Sequence, residues 1–521
     1  MALRLERFAH HCTIGFYATV IATAGLAAGG CGGAPIAPPS PAAQEPKTPE
    51  PQEAAWNPFV VAEPGGRILI TYYGGGGESE HRLLFTRSLD GGVTWLPEPV
   101  QLDSPPLKDN RFGFHRLETN GNGRLSVTWA IERKEETFWR VREVRNRQSS
   151  DSGTTWTGEA LRWQFHQQGN YPTSLTDLDG VLHLLWIEGP SAGGIPRFVR
   201  TTGAGKGWAA EPLTIPGAKV TPIKHRGRDL PVHREPAWPV LAGGPNGALY
   251  AVWQEASQRQ LFGTGTDILF NRSDNGGGTW LESSLRLSTP PPAPTRTARI
   301  PVVAVNQRGE IYVVWEDFRH NTSDLFFNRS LDKGVTWLSQ DLWLTAVRPP
   351  LASATNPVLR ADTSGNLYLL WEDIREVPHS LYFNRSLDKG VTWLPQAIRL
   401  DRHAPNEITR GHRLAHDDSG HVYAAWAQGS ETKVTVRFRH SDDYGATWTE
   451  KDQILDSGQG KDGPRVPWLT ADGKGSVYVV WSSDRTGRYH LYLNRSLDHG
   501  RTWLPQDVRI PGSPLMKTRG S

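Results

Sequence analysis

Short, unbroken apolar runs recur along this chain. Ile311-Tyr-Val-Val-Trp315, Leu367-Tyr-Leu-Leu-Trp371 and Val477-Tyr-Val-Val-Trp481 are rich in β-formers and lack the alternation of a strand with one wet face. Such runs suit strands covered on both sides. One full unit around them reads as four strands. In the sixth copy these are 357–361, a Thr-Ser-Gly-Asn turn, Leu367–Trp371, a loop, Ser380–Arg385 and, after a polar turn, Ala397–Leu400. Four antiparallel strands repeated in series predict the blades of a propeller.

The polar turn repeats as strictly as the apolar run. Ser330-Leu-Asp332-Lys-Gly334-Val-Thr336-Trp337 recurs unchanged at Ser386–Trp393, with variants ending at Trp95, Trp156, Trp280, Trp448 and Trp503. An eroded copy, Thr201–Trp208, makes eight. The pairs Trp315/Trp337, Trp371/Trp393, Trp426/Trp448 and Trp481/Trp503 keep one interval, so run and turn belong to one unit. The chemistry is that of a hairpin turn. The Asp accepts backbone N–H groups two or more residues on, the Gly supplies positive φ, and the Trp covers the turn. A group repeated at every blade serves them all equally, so these aspartates read as scaffold rather than as catalysts or metal ligands.

The pattern Ser-x-Asp-x-Gly-x-Thr-Trp resembles the Asp-box of the sialidase (BNR) superfamily, over nearly all of residues 57–510. The resemblance implies an all-β fold: a single β-propeller of about eight four-stranded blades, with Asp-box hairpins between strands 3 and 4. Connections from strand 4 to the next strand 1, and from strand 2 to strand 3, then share one face. The boxes and the strand 1–2 turns share the other.

Composition adds a location. A net charge of +3 in 521 residues gives no reason to expect nucleic acid. Arg4 and Arg7 precede a small apolar stretch ending Leu26-Ala-Ala-Gly-Gly-Cys31, which resembles a bacterial lipobox, although Ala28 stands where that family prefers Leu. The expected organisation is a lipoprotein-type signal over 1–31 with Cys31 lipidated, a Pro/Ala-rich tether over 32–55, a propeller over 56–511 and a tail over 512–521. An ordinary signal peptide or an uncleaved anchor is the alternative for the leader. The expected address is the cell envelope, with the membrane reached through the lipid alone. Cys12 and Cys31 are the only cysteines, so no disulfide framework or thiolate metal site is expected.

Departures from the repeat gather on the loop face. The longest insert, 216–235, carries Lys219, Lys224, His225, Arg226, Arg228, His233 and Arg234. Arg299, Arg410 and Arg465 align at one register of the innermost strand and should ring the channel mouth, where guanidinium groups suit a carboxylate, sulfate or phosphate. The sialidase resemblance implies the same, since that family clamps a sugar carboxylate with three arginines. Its Arg-Ile-Pro motif, however, falls here in the fifth unit, and X-Pro recurs at that register as Asn57-Pro58, Tyr171-Pro172, Trp238-Pro239 and Asn356-Pro357, so the proline is a repeat feature. The competing reading pairs these arginines with Asp317, Asp373 and Asp484. The resemblance also implies a Tyr nucleophile polarised by a Glu. Tyr489 and Glu407 are the candidates, and neither sits in a recognisable motif. The adjacent carboxylates Glu316/Asp317 and Glu372/Asp373 point to opposite faces of a strand and should pair instead with Arg319 or Arg375.

Two functions remain open at this stage. One is a sialidase-like envelope protein acting on or binding acidic glycans, an exo-glycosidase if it is an enzyme at all. The other is a non-catalytic surface propeller that binds a protein or polysaccharide. No cofactor or metal is expected in either, and a monomer is.

Overall fold

A computed structural model describes residues 54–511, apart from 76–80, 104–109, 136–137, 190–192, 210, 219–223, 226–227, 230–233, 261–262, 290–296, 347–352, 375–378, 403–406, 431–432 and 459–465. All described residues belong to the unit Glu53–Ser521. The expected leader, Cys31 and the tail lie outside them. The first strand begins at Ala54.

The described residues are all-β and contain no α-helix. Their strands form six separate four-stranded antiparallel sheets, one seven-stranded sheet and a two-stranded ribbon, Lys224–His225 with Arg228–Asp229. The large sheets therefore number seven, not the eight expected. The reason is one strand, Leu161–Thr176. Its first part pairs with Phe138–Ser149 as the outer strand of the second repeat, and its second part pairs with Leu182–Glu188 as the inner strand of the third. No turn separates the two roles, so two repeats share a sheet.

The apolar runs are buried on both faces, as their composition demands. Ile311–Asp317, Leu367–Asp373 and Val477–Ser483 are buried at every position. Trp129, Trp186, Trp253, Trp315, Trp371, Trp426 and Trp481 are all essentially inaccessible. Several of these indoles are satisfied two residues on: Trp315 Nε1 donates to Asp317 Oδ2 (3.2 Å) and Trp371 Nε1 to Asp373 Oδ2 (3.3 Å). That explains the carboxylate that follows the tryptophan in these runs.

Each inner strand packs on the next, and that of the eighth repeat packs on the first. At this last junction Trp468 Nε1 donates to the Val60 carbonyl (2.7 Å), and Tyr478, Val480, Leu491 and Leu493 share a core with Ile68, Ile70 and Tyr72. The arrangement is propeller-like.

The triplet Asn-Arg-Ser at the end of strand 3 stitches neighbours together. Asn328 Nδ2 reaches back to the Leu287 carbonyl of the preceding repeat (2.9 Å). Arg329 reaches forward to the Lys389 carbonyl in the next turn, and Ser330 Oγ bonds Asp332 of its own turn (2.7 Å). The eighth repeat does the same, with Asn494 on Leu455 and Arg495 on Gly91 of the first. In the turn, Asp332 accepts from the Thr336 backbone (2.8 Å) and hydroxyl (2.6 Å). The turn glycine is required twice over. Gly390 has φ +80°, and a Cβ there would stand 2.5 Å from Phe327 Cζ of the preceding repeat. That phenylalanine packs edge-on against Trp393 at 5.4 Å.

Candidate functional site

The loop end of the inner strands is shaped by a recurring bulge. Register shifts fall between Trp56/Phe59, Phe112/His115, Asn170/Thr173, Ala237/Val240, Arg299/Val302, Thr355/Val358 and Arg410/Arg413. Within these bulges Asn57, Tyr171, Trp238, Ile300, Asn356 and Gly411 take φ between 50° and 64°. For a β-branched or bulky residue that conformation is costly, and it persists only where the surroundings enforce it. Here the preceding repeat does so: Ile300 N–H donates to Gln254 Oε1 (3.0 Å) and Asn356 N–H to Glu316 Oε1 (2.9 Å). The X-Pro pairs thus mark a structural bulge, in line with their recurrence in the sequence.

Strand pairing places Arg299 and Arg410 at the same register, each the last paired residue before its bulge. Their surroundings differ. Arg299 stands opposite Glu316, and its Nε donates to Glu316 Oε2 (3.0 Å) while the guanidinium lies over Phe318 (4.4 Å). Burial pushes the Glu316 carboxyl up, and Arg299 pulls it back. Arg299 is therefore committed within its own sheet, to Glu316 rather than to Asp317. Asp317 instead holds Arg319 (2.7 Å), as the spacing suggested. Arg410 stands opposite Ala427, is exposed, and makes no ion pair among the described residues. Arg465 lies outside the described residues, as does Arg375.

The inner wall holds two further guanidiniums that the sequence reading passed over. Arg413, three residues beyond Arg410, lies over Trp468 (4.9 Å) and donates to the His412 carbonyl (2.9 Å). Burial, together with the like charge of Arg360, holds it down to about 10. Arg360, next to the last residue of its inner strand Ala354–Ala361 and so toward the turn end, is open to water, and the protein around it lowers its pKa as well. It bonds its neighbour's carbonyl, Leu359 O (3.1 Å), and no carboxylate among the described residues. Glu372, whose charge is felt at Arg413, is spent on His412 Nδ1 (3.2 Å) and Asn356 Nδ2 (3.0 Å). Two bulge residues form an aromatic pair at the same end, Tyr171 with Trp238 at 4.6 Å. Arginines spaced within one inner strand, and aromatics in the X-Pro slot, were the available signals.

Of the catalytic candidates, Glu407 is held by its side chain and Tyr489 by its main chain. Glu407 Oε2 accepts from Gln428 Nε2 (2.8 Å) and lies 3.9 Å from Arg437. Tyr489, in the loop before His490–Ser496, accepts the Ala55 N–H on its carbonyl (2.8 Å) and so ties the first repeat to the last. Asp456, unremarked in the sequence, is pushed up to about 6 by burial, with the charge of Asp507 adding to it. Its Oδ1 accepts the Val436 N–H (2.8 Å), a contact that Ser288 and Thr345 make in other repeats. A cleft of about 320 Å³ between outer strands is lined by Leu342, Trp343, Thr345, Trp393 and Pro395 and carries no charged group.

No family model and no curated protein matches the chain. Solved structures do. An ulvan lyase of a polysaccharide lyase family is 11% identical, covering 85% of this chain and 94% of that one, at a TM-score of 0.44. A Hadza microbial sialidase is 15% identical over 68% of this chain and 71% of its own, at 0.35. An α-L-arabinanase from Penicillium chrysogenum is 17% identical over 63% and 93%, at 0.36. Likeness at this level assigns this chain neither site nor substrate.

Proposed function

We propose that the chain is an envelope-anchored propeller that binds an acidic glycan at the loop end of its inner strands. In this reading the eight sequence copies form one closed ring of eight units, the shared sheet counting as two, and Cys31 carries the lipid. The observation that carries it is the pair Arg410 and Arg413: two guanidiniums on the inner strand of the seventh repeat, flanking its bulge, with no carboxylate partner among the described residues. Cations left without a carboxylate are ready to take an anion, and a sulfate or carboxylate bonds a guanidinium bidentately. Tyr171 and Trp238 add an apolar face of the kind that stacks on a sugar ring. Arg465, aligned with Arg299 and Arg410 in the sequence, is proposed as a further ligand contact.

Binding is favoured over turnover because Glu407, the candidate to polarise a Tyr489 nucleophile, is bonded to Gln428, and neither residue sits in a recognisable motif. The test is a panel of sialylated, sulfated and uronic-acid oligosaccharides offered to the full chain, followed by calorimetry and by assay for released sugar. Saturable binding of charged but not neutral glycans, weakened in Arg410→Ala, is the expected result. Equal binding of neutral glycans, or none of any, overturns the proposal. Released sugar would move the reading to the sialidase-like enzyme.

A further inference from the structure

On the turn face, far along the strands from the mouth, neighbouring repeats touch at one recurrent position. The residue after the turn aspartate projects back to the strand 1–2 turn of the preceding repeat. Between the fifth and sixth repeats that contact is an ion pair, Lys389 Nζ to Glu310 Oε1 at 2.5 Å. Between the sixth and seventh the corresponding residues are Tyr444 and Asn366. Between the seventh and eighth they are two imidazoles, His499 and His421.

These imidazoles converge on a carboxylate. His421 Nδ1 lies 2.8 Å and His499 Nδ1 3.5 Å from Asp417 Oδ2. The two rings stack at 3.8 Å, so both Nδ1 atoms address the same oxygen. One ligand atom from each of the three residues lies within 4.8 Å of the others. Asp417 is buried and fixed by its turn, where its Oδ1 accepts the Ser419 and His421 N–H groups (2.9 and 3.1 Å). The histidines are partly exposed, which leaves an entry path. Tyr423, buried beneath, donates to Asp417 Oδ2 (3.2 Å) and lies 3.2 Å from His499 Nδ1. Asp442 stands 3.9 Å from His421 Nε2, on the far side of that ring.

We propose that Asp417, His421 and His499 bind one divalent transition-metal ion, zinc foremost, as a clasp between the seventh and eighth repeats. Two imidazoles and a carboxylate are a donor set that zinc takes, with ligand bonds of about 2.0–2.2 Å and a fourth position left to water. Ligand atoms of such a site lie about 3–3.5 Å apart, close to the spacing found here. Asp442, 3.9 Å from the outer ring nitrogen of His421 and bonded to Arg501 (3.1 Å), adds negative charge beside that ligand. The ion does at this junction what the Lys389–Glu310 pair does two repeats earlier. This inference is independent of the glycan reading.

The chain's own repeats supply variants that keep the fold. His499 has φ 63°, and Lys333 and Lys389 hold φ 62° and 63° at the same position, so His499→Lys is tolerated by the turn. Asn366 occupies the position of His421, so His421→Asn is its counterpart. The full-length protein, stripped with chelator and dialysed, is titrated with Zn²⁺ by calorimetry and with Co²⁺ by visible absorption. Expected are one ion per chain, a tetrahedral Co²⁺ band, and a rise in unfolding temperature with Zn²⁺. Each single variant weakens binding at least about tenfold, and the double variant loses the band and the temperature shift while its melting without metal stays cooperative. No saturable Zn²⁺ binding, or the same affinity in the double variant, overturns the proposal and leaves the imidazoles as a hydrogen-bonded contact.

Discussion

The two ends of the same strands obey different rules. At the turn end, six of the eight repeats present the same Ser, Asp, Gly, Thr and Trp, and in each the Ser and Thr hydroxyls bond the turn Asp. At the mouth end, the bulge is conserved in geometry but its residues vary from Asn and Gly to Tyr, Trp and Ile. Repetition therefore reports what every unit needs in order to pack. A ligand that meets the ring from one side breaks the equivalence of the units, and the residues that serve it show as departures from the pattern. The sharpest departure is between two positions of identical register: Arg299 faces Glu316, whereas Arg410 faces Ala427.

The largest expected effect is at the turn end. Gly390→Ala forces a side chain into a left-handed turn and against Phe327, and should destabilise the protein by about 1–3 kcal/mol, read from denaturant unfolding. If instead it is neutral, the turns are not the packing elements described here. Next, Arg299→Ala strips a buried carboxylate of its cation and should cost about 1–2 kcal/mol, whereas Arg410→Ala, at the same register, should lie within about 0.5 kcal/mol of the parent. Equal losses at both would erase the distinction between a structural and a ligand-facing arginine.

The smallest effects separate the ends by the sign of their pH response. The turn carboxylates Asp90, Asp151, Asp332 and Asp498 are held down to about 2 by bonds to their own turns, chiefly from Thr and Ser. Their folded values lie below the unfolded one, so they contribute stability above about pH 4 that is lost as pH falls toward 2. Asp456 is raised to about 6, so the folded state binds its proton more tightly than the unfolded chain. It therefore costs stability as pH rises from about 4 through 6. Asp456→Asn should flatten that decline, and Asp332→Asn should soften the acid limb. Asn275, which holds the equivalent turn of the fourth repeat through Thr279 N (2.9 Å), makes the second change tolerable at neutral pH. A shift of the opposite sign in either variant would contradict the environments assigned to these carboxyls.

Much of the fold was legible because its signals are local and repeated. The Trp-ended runs and the Asp turns each state their own burial and bonding, and eight copies make the period plain. The merged second and third repeats were not legible, because whether a chain turns or runs on at 165–168 is decided by strand pairing rather than by any turn residue. The mouth was partly legible. The register of Arg299 and Arg410 could be read from alignment, but their partners could not: cross-strand pairing sets Arg299 opposite Glu316, one residue short of Asp317, whose carboxylate is taken by Trp315 and Arg319. Arg360 and Arg413 went unnoticed because neither recurs. Asp417, His421 and His499 escaped for another reason, since the third residue comes from a different repeat and only the packing of neighbours brings it within reach.

The most direct test compares Arg410→Ala with Arg299→Ala for binding of one sulfated or uronic-acid oligosaccharide at fixed ionic strength. A lost guanidinium–anion bond of about 1.5–3 kcal/mol predicts a weakening of about ten- to a hundredfold for Arg410→Ala, with a much smaller change for Arg299→Ala. Binding that survives Arg410→Ala intact, or falls equally in both variants, would contradict the claim that the unpaired cations of the inner strands receive the ligand.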